Sequence, residues 1–369
     1  MPEFVVSYIQ GKSSGYIQAK VKGEIIMKTK NLATLGPFIV VAAAVLWGAV
    51  GIFTKYLYSV GFTPYQASML RCFMAAIIIV PFMFIKHRPQ MKLRTWKDLL
   101  FFFISGSLGL ALCYTSYFLT IQASTLSIAA VMLYSAPIMV TIMAAILFKE
   151  KVTAVKLISI ILAFTGCIVM SGILGGASVK LSVFGIMIGF LSGFGYALYN
   201  IGSRLALQHY NTFAVTAYTF IFAFLGMIPF TPIGETVSML AANPMAILAM
   251  VGMGILCTLI PYTIYVLALN YVEVSKASVI AIIEPVAATL IGAVAFGEAI
   301  TANVVVAMII IFASVLLANI KIKKKVTNQD VAIDVSIDQD NQPIAEQALS
   351  EKVAERMHRQ EELESTFSK

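Results

Sequence analysis

The sequence predicts an all-α membrane protein with ten transmembrane helices, arranged as two inverted repeats of five helices each. Three observations lead to this prediction. The chain of 369 residues is 59% hydrophobic and only 12% charged, whereas about a quarter of the residues in a soluble domain are charged. Ten apolar segments of helical length follow one another along the chain, and the second five repeat the first five.

Each apolar segment is about as long as a helix that crosses the hydrocarbon core of a bilayer. Their approximate bounds are 35–57, 64–85, 98–119, 125–148, 153–172, 183–204, 211–230, 245–269, 275–297 and 301–320. They divide the chain into a cytoplasmic N-terminal segment (1–34), a first repeat (35–173), a second repeat (183–320) and a polar cytoplasmic tail (321–369). Met27 opens a basic stretch directly before the first span, so residues 1–26 are a candidate artefact of start-codon choice.

Lysine and arginine are distributed unequally between the two sides of the predicted membrane. The loops after even-numbered spans and the end of span ten hold most of them: Lys86, Arg88, Lys92, Arg94, Lys97, Lys149, Lys151, Lys156, Arg204, Lys276, Lys321, Lys323, Lys324 and Lys325. The opposite loops hold only Lys55 and Lys180. Because cytoplasmic loops carry the excess of positive charge, both termini are predicted to be cytoplasmic. The chain shows no organelle-targeting sequence, which favours a bacterial inner or plasma membrane.

The second half of the chain repeats the first in one register. A shift of 148 residues aligns 113–153 with 261–301 without a gap. The matched pairs include Tyr114/Tyr262, Tyr117/Tyr265, Pro137/Pro285, Phe148/Phe296, Glu150/Glu298 and Thr153/Thr301. Apolar composition alone does not explain matched tyrosine, proline and glutamate. Since each half has an odd number of spans, the second half enters the membrane upside down, as in many secondary transporters.

Span four contains Pro137, and the pattern F-x-E-x2-T follows at its end. Span nine contains Pro285, and the same pattern follows at its end. This motif, joined to two five-span units, resembles the EamA-type members of the drug/metabolite transporter superfamily. The resemblance covers roughly residues 35–320 and rests on the combination of features. It implies a ten-helix bundle with spans five and ten at the periphery and a central cavity lined by the other spans. It also implies transport of amino acids or other small metabolites, often outward.

Glu284 is the leading candidate for a functional residue. At about 1.5 Å per residue it lies about 12 Å from Lys276 and about 21 Å from Glu298, so no residue of its own helix can pair with it. A carboxylate at that depth must face the bundle interior or a wet cavity, or be protonated. One hypothesis is therefore a proton or substrate-amine site. The other is a protonated glutamate that only holds helices together.

Pro285 follows Glu284 directly, and Pro137 is its counterpart in the first repeat. A proline inside a helix removes one amide hydrogen bond and bends the helix. We therefore expect breaks in spans four and nine, with the carbonyl of Ala281 freed beside Glu284.

Arg71 is the second charged candidate, about 10 Å into span two from Pro64. An arginine at this depth can reach the interface, so it is either an anchoring residue or a guanidinium that pairs with a substrate carboxylate or a cavity acid. Depth alone places Arg71 in the outer half of the membrane and Glu284 in the inner half. We therefore expect no direct pair between them.

Tyrosines form the third group of candidates. Tyr114 and Tyr117 lie at i and i+3 on one face of span three, and Tyr262 and Tyr265 repeat the pattern in span eight. Further aromatic or amide groups lie in other spans: Trp47, Tyr134, Tyr199 and Asn200. These residues either line a cavity or pack in the core. As cavity residues they suit an organic solute with an apolar part.

Glu150 and Glu298 end their spans at the interface, so a structural role is predicted for both. Gly185, Gly189 and Gly193 recur every four residues on span six. Such a stripe of small residues allows another helix to approach closely, and it could also permit sliding.

Several function classes are not supported by the sequence. The spans lack GxGD, GxSG and HExxH patterns, and no P-loop is present, so neither an enzyme nor a built-in ATPase is predicted. The four cysteines lie in apolar runs and the three histidines are scattered, so no metal or cofactor is expected. The net charge of +8 resides in loops and tails that orient the protein. Nucleic acid is therefore not an expected partner.

The resulting hypothesis is a secondary transporter, an exporter of amino acids or similar small metabolites, that works by alternating access and is coupled to protons through Glu284. The expected partners are the small-molecule substrate, membrane lipid and protons. Two alternatives remain open: a membrane scaffold or sensor that acts through its C-terminal tail, and a facilitative pore.

Overall fold

The computed structural model describes residues 34–86, 88–173 and 183–320, and every regular element in these ranges is helical. The ten main helices are α1 Thr34–Ser59, α2 Pro64–Lys86, α3 Trp96–Ala123, α4 (Leu126–Leu133 with Ala136–Leu147), α5 Ala154–Met170, α6 Val183–Ala206, α7 Thr212–Phe230, α8 Pro244–Ala268, α9 (Val274–Ile280 with Ile283–Phe296) and α10 Ala302–Asn319. A short helix, Ile233–Ala242, connects α7 to α8.

Within the described ranges, nine helices are long and apolar enough to cross a membrane. The remaining predicted span, the fifth along the chain, corresponds to α5, which is an apolar helix of 17 residues. The predicted all-helical membrane fold is therefore confirmed. The N-terminal segment before residue 34, Lys180 and the C-terminal tail after residue 320 lie outside the described residues.

Polar residues ahead of the apolar runs explain where several helices begin. The side chain of Thr153 accepts a hydrogen bond from the amide of Lys156 at the start of α5. Asn211 and Asn243 do the same for α7 and α8. Each side-chain oxygen satisfies one of the amides that a helix leaves unpaired in its first turn.

Both repeats contain a π-helical turn at the same place. In α3 it spans Gly106–Ala111, and in α8 it spans Ile255–Leu259, so the second ends 148 residues after the first. This spacing equals the offset of the sequence repeat. A π-helical turn widens the backbone locally and often marks a functional site.

Helices α4 and α9 are each interrupted near the middle of the bundle. The breaks fall at residues 134–135 and 281–282, just before Pro137 and Pro285. The expectation that the carbonyl of Ala281 is free is wrong, because the amide of Glu284 donates to it at 3.0 Å. The chain tightens to an i to i+3 bond at the break, and this shorter turn uses the carbonyl that the proline could not pair.

Glycines set the close helix contacts. A Cβ added at Gly189 would lie 2.6 Å from Met132, and one at Gly193 would lie 2.9 Å from the Met132 carbonyl, so the glycine stripe of α6 packs against α4. A Cβ at Gly195 would lie 2.7 Å from the backbone nitrogen of Cys113 in α3. Such contacts are possible only without a side chain.

Helices α5 and α10 pack against each other, with Gly166 directly against Ile311. Their outer faces carry exposed apolar side chains, among them Ile161 and Leu316. Exposed apolar residues on a membrane bundle contact lipid. This pair therefore lies at the edge of the bundle, although α5 also contributes Cys167 and Met170 to the lining of the central cavity.

Candidate functional site: a central cavity open at one end

A cavity of about 820 Å³ lies between the two repeats. Residues from α1 to α6, α8 and α9 line it, and its volume is in the range of small-molecule sites. Exposed residues line one end, including Ile52, Lys55 and Glu298. We call this the open end. The opposite end of the bundle, where Glu150 lies, is the closed end.

Glu284 lines the cavity at the start of the second segment of α9. None of the ion pairs found in the described residues includes its carboxylate. A smaller pocket next to it extends from Tyr196 and Glu284 towards Pro137 on α4. The helix break thus places an ionisable group on the cavity wall, where water or a solute can reach it.

Arg71 reaches the cavity from α2 and is held by the π-helical turn of α8. Its Nε donates to Thr258 Oγ1 at 3.0 Å and its Nη2 donates to the Cys257 carbonyl at 3.1 Å. The guanidinium lies 5.1 Å from the ring centre of Tyr114. Since a guanidinium has five N–H groups, three remain without a hydrogen bond to any described residue. This arrangement fixes a positive charge with donors to spare.

The repeat-related tyrosines Tyr114 and Tyr262 meet in the middle of the bundle. Their hydroxyl oxygens are 2.5 Å apart. Tyr262 also contacts Trp47, with ring centres 4.9 Å apart. Equivalent residues of two inverted repeats meet where the pseudo-two-fold axis passes, so the axis runs through the cavity wall at this pair.

Tyr117 and Tyr134 also line the cavity, as does Trp47, whose indole N–H finds no acceptor among the described residues. Of the predicted site residues, the cavity therefore brings together Trp47, Arg71, Tyr114, Tyr117, Tyr134, Tyr262, Glu284 and Pro285. Pro137 lies on the smaller pocket.

Three predicted site residues are packed behind the wall and do not line this cavity. Tyr199, Asn200 and Tyr265 are fully buried. The hydroxyl of Tyr265 donates to Asn200 Oδ1, and the amide group of Asn200 donates to the carbonyl of Tyr196 at 2.8 Å. In this conformation the three residues support the aromatic wall formed by Trp47 and Tyr262.

The structure also adds residues that the sequence did not single out as site residues. Tyr196 lines both pockets, and its place one turn before Tyr199 on α6 was the available signal. At the open end, Lys55 Nζ lies 3.4 Å from Glu298 Oε1 and 3.7 Å from the ring centre of Phe296. The lysine was visible in the sequence, but its partner on α9 was not.

A network of ion pairs and hydrogen bonds holds the closed end. The amide of Val274 donates to Glu150 Oε1 at 2.9 Å, and the hydroxyl of Ser275 donates to Glu150 Oε2. Lys156 Nζ lies 3.4 Å from Glu150 and 2.8 Å from Glu273. Glu150 thus ties the end of α4 to the start of α9, and none of the residues of this network lines the cavity.

The α2–α3 loop is fixed at the same end. The hydroxyl of Tyr210 donates to Asp98 Oδ2 at 2.6 Å and accepts from the amide of Arg94 at 3.0 Å. Burial, followed by the hydrogen bond to Asp98, raises the pKa of Tyr210 above its ordinary value. The phenol therefore stays protonated at neutral pH and acts as the donor to the carboxylate.

Across the described residues, no group of three or more His, Cys, Asp or Glu side chains is placed to hold a metal ion. All four cysteines are buried and free. The fold and cavity therefore define a polytopic helical membrane protein with a solute-sized chamber between two repeats.

Comparison with known proteins agrees with this class. The model of the EamA-like transporter family matches the chain twice, over residues 34–172 and 183–320. The chain therefore belongs to the EamA-like transporter family. It is 29% identical over 289 residues to an uncharacterized transporter of Archaeoglobus fulgidus, with 77% of this chain and 96% of that protein covered.

Two further similarities extend the comparison. The uncharacterized inner membrane transporter YicL of Salmonella typhimurium is 23% identical over 288 residues, covering 78% of this chain and 95% of that protein. A protein of known crystal structure superposes with a TM-score of 0.63 at 18% identity, over 78% of this chain and 96% of that chain. The second similarity concerns the fold alone.

Proposed function

We propose that the protein is a secondary transporter of small organic solutes, amino acids or similar metabolites, and that it works by alternating access. The observation that carries the proposal is a cavity between inverted repeats that opens at one end while Glu150 ties the other end shut. A binding chamber exposed to one side at a time is what alternating access requires. A facilitative pore would need a path through both ends at once, so the closed end does not favour it.

The cavity groups suit a solute with both a charged and an apolar part. Arg71 offers free N–H donors to a carboxylate. Glu284 offers a carboxylate to an amine or takes up a proton. Tyr114, Tyr117 and Trp47 offer ring faces to an apolar side chain. An amino acid presents all three chemical features.

Movement against a gradient needs an energy source outside the chain, because the sequence contains no P-loop. We propose proton exchange at Glu284, since an intramembrane carboxylate facing a cavity is a common proton relay. A proton on Glu284 would then favour one conformation and its release the other.

The proposed orientation places the closed end in the cytoplasm. The lysines and arginines of the even-numbered loops, including Lys86 and Lys156, lie at that end. The open end, with Lys55, would then face the exterior, and both termini would be cytoplasmic. We propose a bacterial inner or plasma membrane and export as the physiological direction. Fusion of a reporter active only in the cytoplasm to the C-terminus tests the orientation, and an inactive reporter would contradict it.

The test of function is flux in proteoliposomes, using labelled amino acids with and without an imposed pH gradient. We expect saturable uptake that responds to the gradient. Glu284→Gln should abolish the response to the gradient while the protein remains folded. Glu235→Gln, an exposed glutamate of the connecting helix, is the matched control and should behave like the wild type. Gradient-driven flux that is unchanged in Glu284→Gln would remove Glu284 from the mechanism.

A further inference from the structure

Glu150 and Glu298 occupy equivalent positions in the two repeats, and the backbone presents them in the same way. Each follows a residue in the left-handed conformation: Lys149, with φ 55°, and Gly297, with φ 68°. Lys149 is the only residue other than glycine with positive φ among the described residues. Because a left-handed lysine is unfavourable, its match with Gly297 shows that both repeats keep this turn. The turn ends each helix and places the glutamate directly after it.

The contacts of the two glutamates nevertheless differ. Glu150 accepts hydrogen bonds from the amide of Val274 and the hydroxyl of Ser275, and its side chain is only 10% exposed. Glu298 makes no contact of this kind among the described residues. It pairs with Lys55, and its side chain is 58% exposed.

The repeat offset of 148 residues identifies the partners that Glu298 lacks here. The counterparts of Val274 and Ser275 are Leu126 and Ser127, at the start of α4. In this structure the hydroxyl of Ser127 donates to the carbonyl of Ser171 at 2.9 Å. Ser127 and Glu298 both line the cavity. The open end is thus the place where the second copy of the Glu150 contact has not formed.

The burial of equivalent residues follows the same asymmetry. At the closed end, Val140 and Ala144 of α4 are fully buried, because this segment packs against the first segment of α9. Their counterparts on α9, Ala288 and Gly292, both line the cavity; Ala288 is exposed, whereas Gly292 is buried beside the carboxylate of Glu298. Exchange of the two repeats would bury Ala288 and expose Val140.

On the basis of the proposed alternating access, we propose that Glu150 and Glu298 are the two latches of this cycle and are engaged one at a time. With the cavity open at the Lys55 end, Glu150 binds Val274 and Ser275. In the opposite conformation Glu298 leaves Lys55 and binds the amide of Leu126 and the hydroxyl of Ser127, while Glu150 is released. The breaks at 134–135 and 281–282 allow the short first segments of α4 and α9 to move separately from the rest of each helix.

Single-cysteine labelling tests the latches without requiring transport. In purified protein whose four native cysteines are replaced by alanine, Ala288→Cys reports the open end and Val140→Cys reports the closed end. Each variant is reacted with a water-soluble maleimide. The readout is the reaction rate of Ala288→Cys divided by the reaction rate of Val140→Cys. Glu150→Gln replaces the carboxylate, a charged hydrogen-bond acceptor, by a neutral amide. Because this weakens the bonds that hold the closed end, we expect the ratio to fall about tenfold. Ser275→Ala removes one of the same hydrogen bonds and should shift the ratio in the same direction.

The decisive variants concern a contact that is absent from this structure. In the Glu150→Gln background, Glu298→Gln or Ser127→Ala should raise the ratio back towards the wild-type value, because each weakens the opposite latch. Glu235→Gln in the same background is the control and should leave the ratio low. Size-exclusion chromatography establishes that each variant is folded. If Glu150→Gln does not fold, Ser275→Ala serves as the background.

An unchanged ratio in both Glu150→Gln and Ser275→Ala would overturn the proposal. So would a ratio that stays low when Glu298→Gln and Ser127→Ala are added. These results are distinguishable from failure of the proposed function: a shift in labelling without any solute flux would keep the latches and reject transport, whereas flux with an unchanged ratio would do the reverse.

Discussion

Replacement of Arg71 should separate a substrate-binding role from a structural one, and the contacts give the expected magnitudes. Arg71→Met removes two charged hydrogen bonds, to Thr258 and Cys257, each worth about 1.5–3 kcal/mol. It also removes the contact with the Tyr114 ring, worth about 0.5–2 kcal/mol. Against this loss, an apolar side chain avoids the cost of burying a guanidinium, which is several kcal/mol. Thr258 also keeps its own bond to the Met253 carbonyl. The loss and the gain are of similar size, so we expect a net loss of stability of about 2 kcal/mol.

The effect on substrate affinity should be larger. Loss of one partner of a buried charge pair costs about 2–5 kcal/mol in binding, which corresponds to about 30-fold to several thousand-fold in Kd. The assay compares flux of an amino acid with flux of the amine that lacks its carboxylate. The wild type should prefer the amino acid, and Arg71→Met should lose that preference because it lacks the cation that recognises the carboxylate.

Lys55→Met is the matched control for Arg71, because it also removes a cation that lines the cavity. Both side chains of its ion pair with Glu298 are exposed, so the change in the unfolding free energy should be below about 1 kcal/mol. The preference for the carboxylate should stay the same. The reasoning would be refuted if Arg71→Met lowered the unfolding free energy by far more than 2 kcal/mol and left the preference intact, since Arg71 would then be a structural residue only.

Three further variants test packing and the closed end. Gly195→Ala places a Cβ 2.7 Å from a backbone nitrogen of α3, so we expect the unfolding free energy to fall by about 1–3 kcal/mol. Gly234→Ala, whose added Cβ meets no atom within 4 Å, should be as stable as the wild type. Equal thermal stability of the two variants would contradict the packing. Asp98→Asn weakens the bond from Tyr210 and should cost about 1–2 kcal/mol; a wild-type melting temperature would argue against this contact. Tyr114→Phe removes the hydroxyl contact with Tyr262 and should change transport rate more than stability; wild-type transport kinetics would count against a role for this pair.

The general fold followed from the sequence because the signals are long and periodic. Ten apolar runs, the charge asymmetry of the loops and a repeat in a single register specify the helices and their internal symmetry. The repeat even pointed to Tyr114 and Tyr262 as equivalent residues, although the sequence did not show that their hydroxyls meet.

The lining of the site was less predictable, because nearly uniform apolar helices carry little information on how each is rotated. Tyr117 lines the cavity and its repeat counterpart Tyr265 is buried behind the wall. The partners of Arg71 are the Thr258 hydroxyl and the Cys257 carbonyl, which both lie in a π-helical turn, and such turns have no clear sequence signal. Val274 and Ser275, which donate hydrogen bonds to Glu150, lie more than a hundred residues away along the chain. Only the folded bundle brings them together.

The central claim, a substrate chamber that opens to one side at a time, is tested most directly by counterflow. Proteoliposomes loaded with unlabelled amino acid are compared with empty ones for uptake of the labelled amino acid from outside. We predict saturable uptake that is faster into the loaded vesicles. The transporter carries unlabelled amino acid outward, which returns it to the conformation that is open to the outside, where it binds labelled amino acid again. Uptake that rises linearly with concentration and is indifferent to the solute inside would contradict alternating access and indicate a pore.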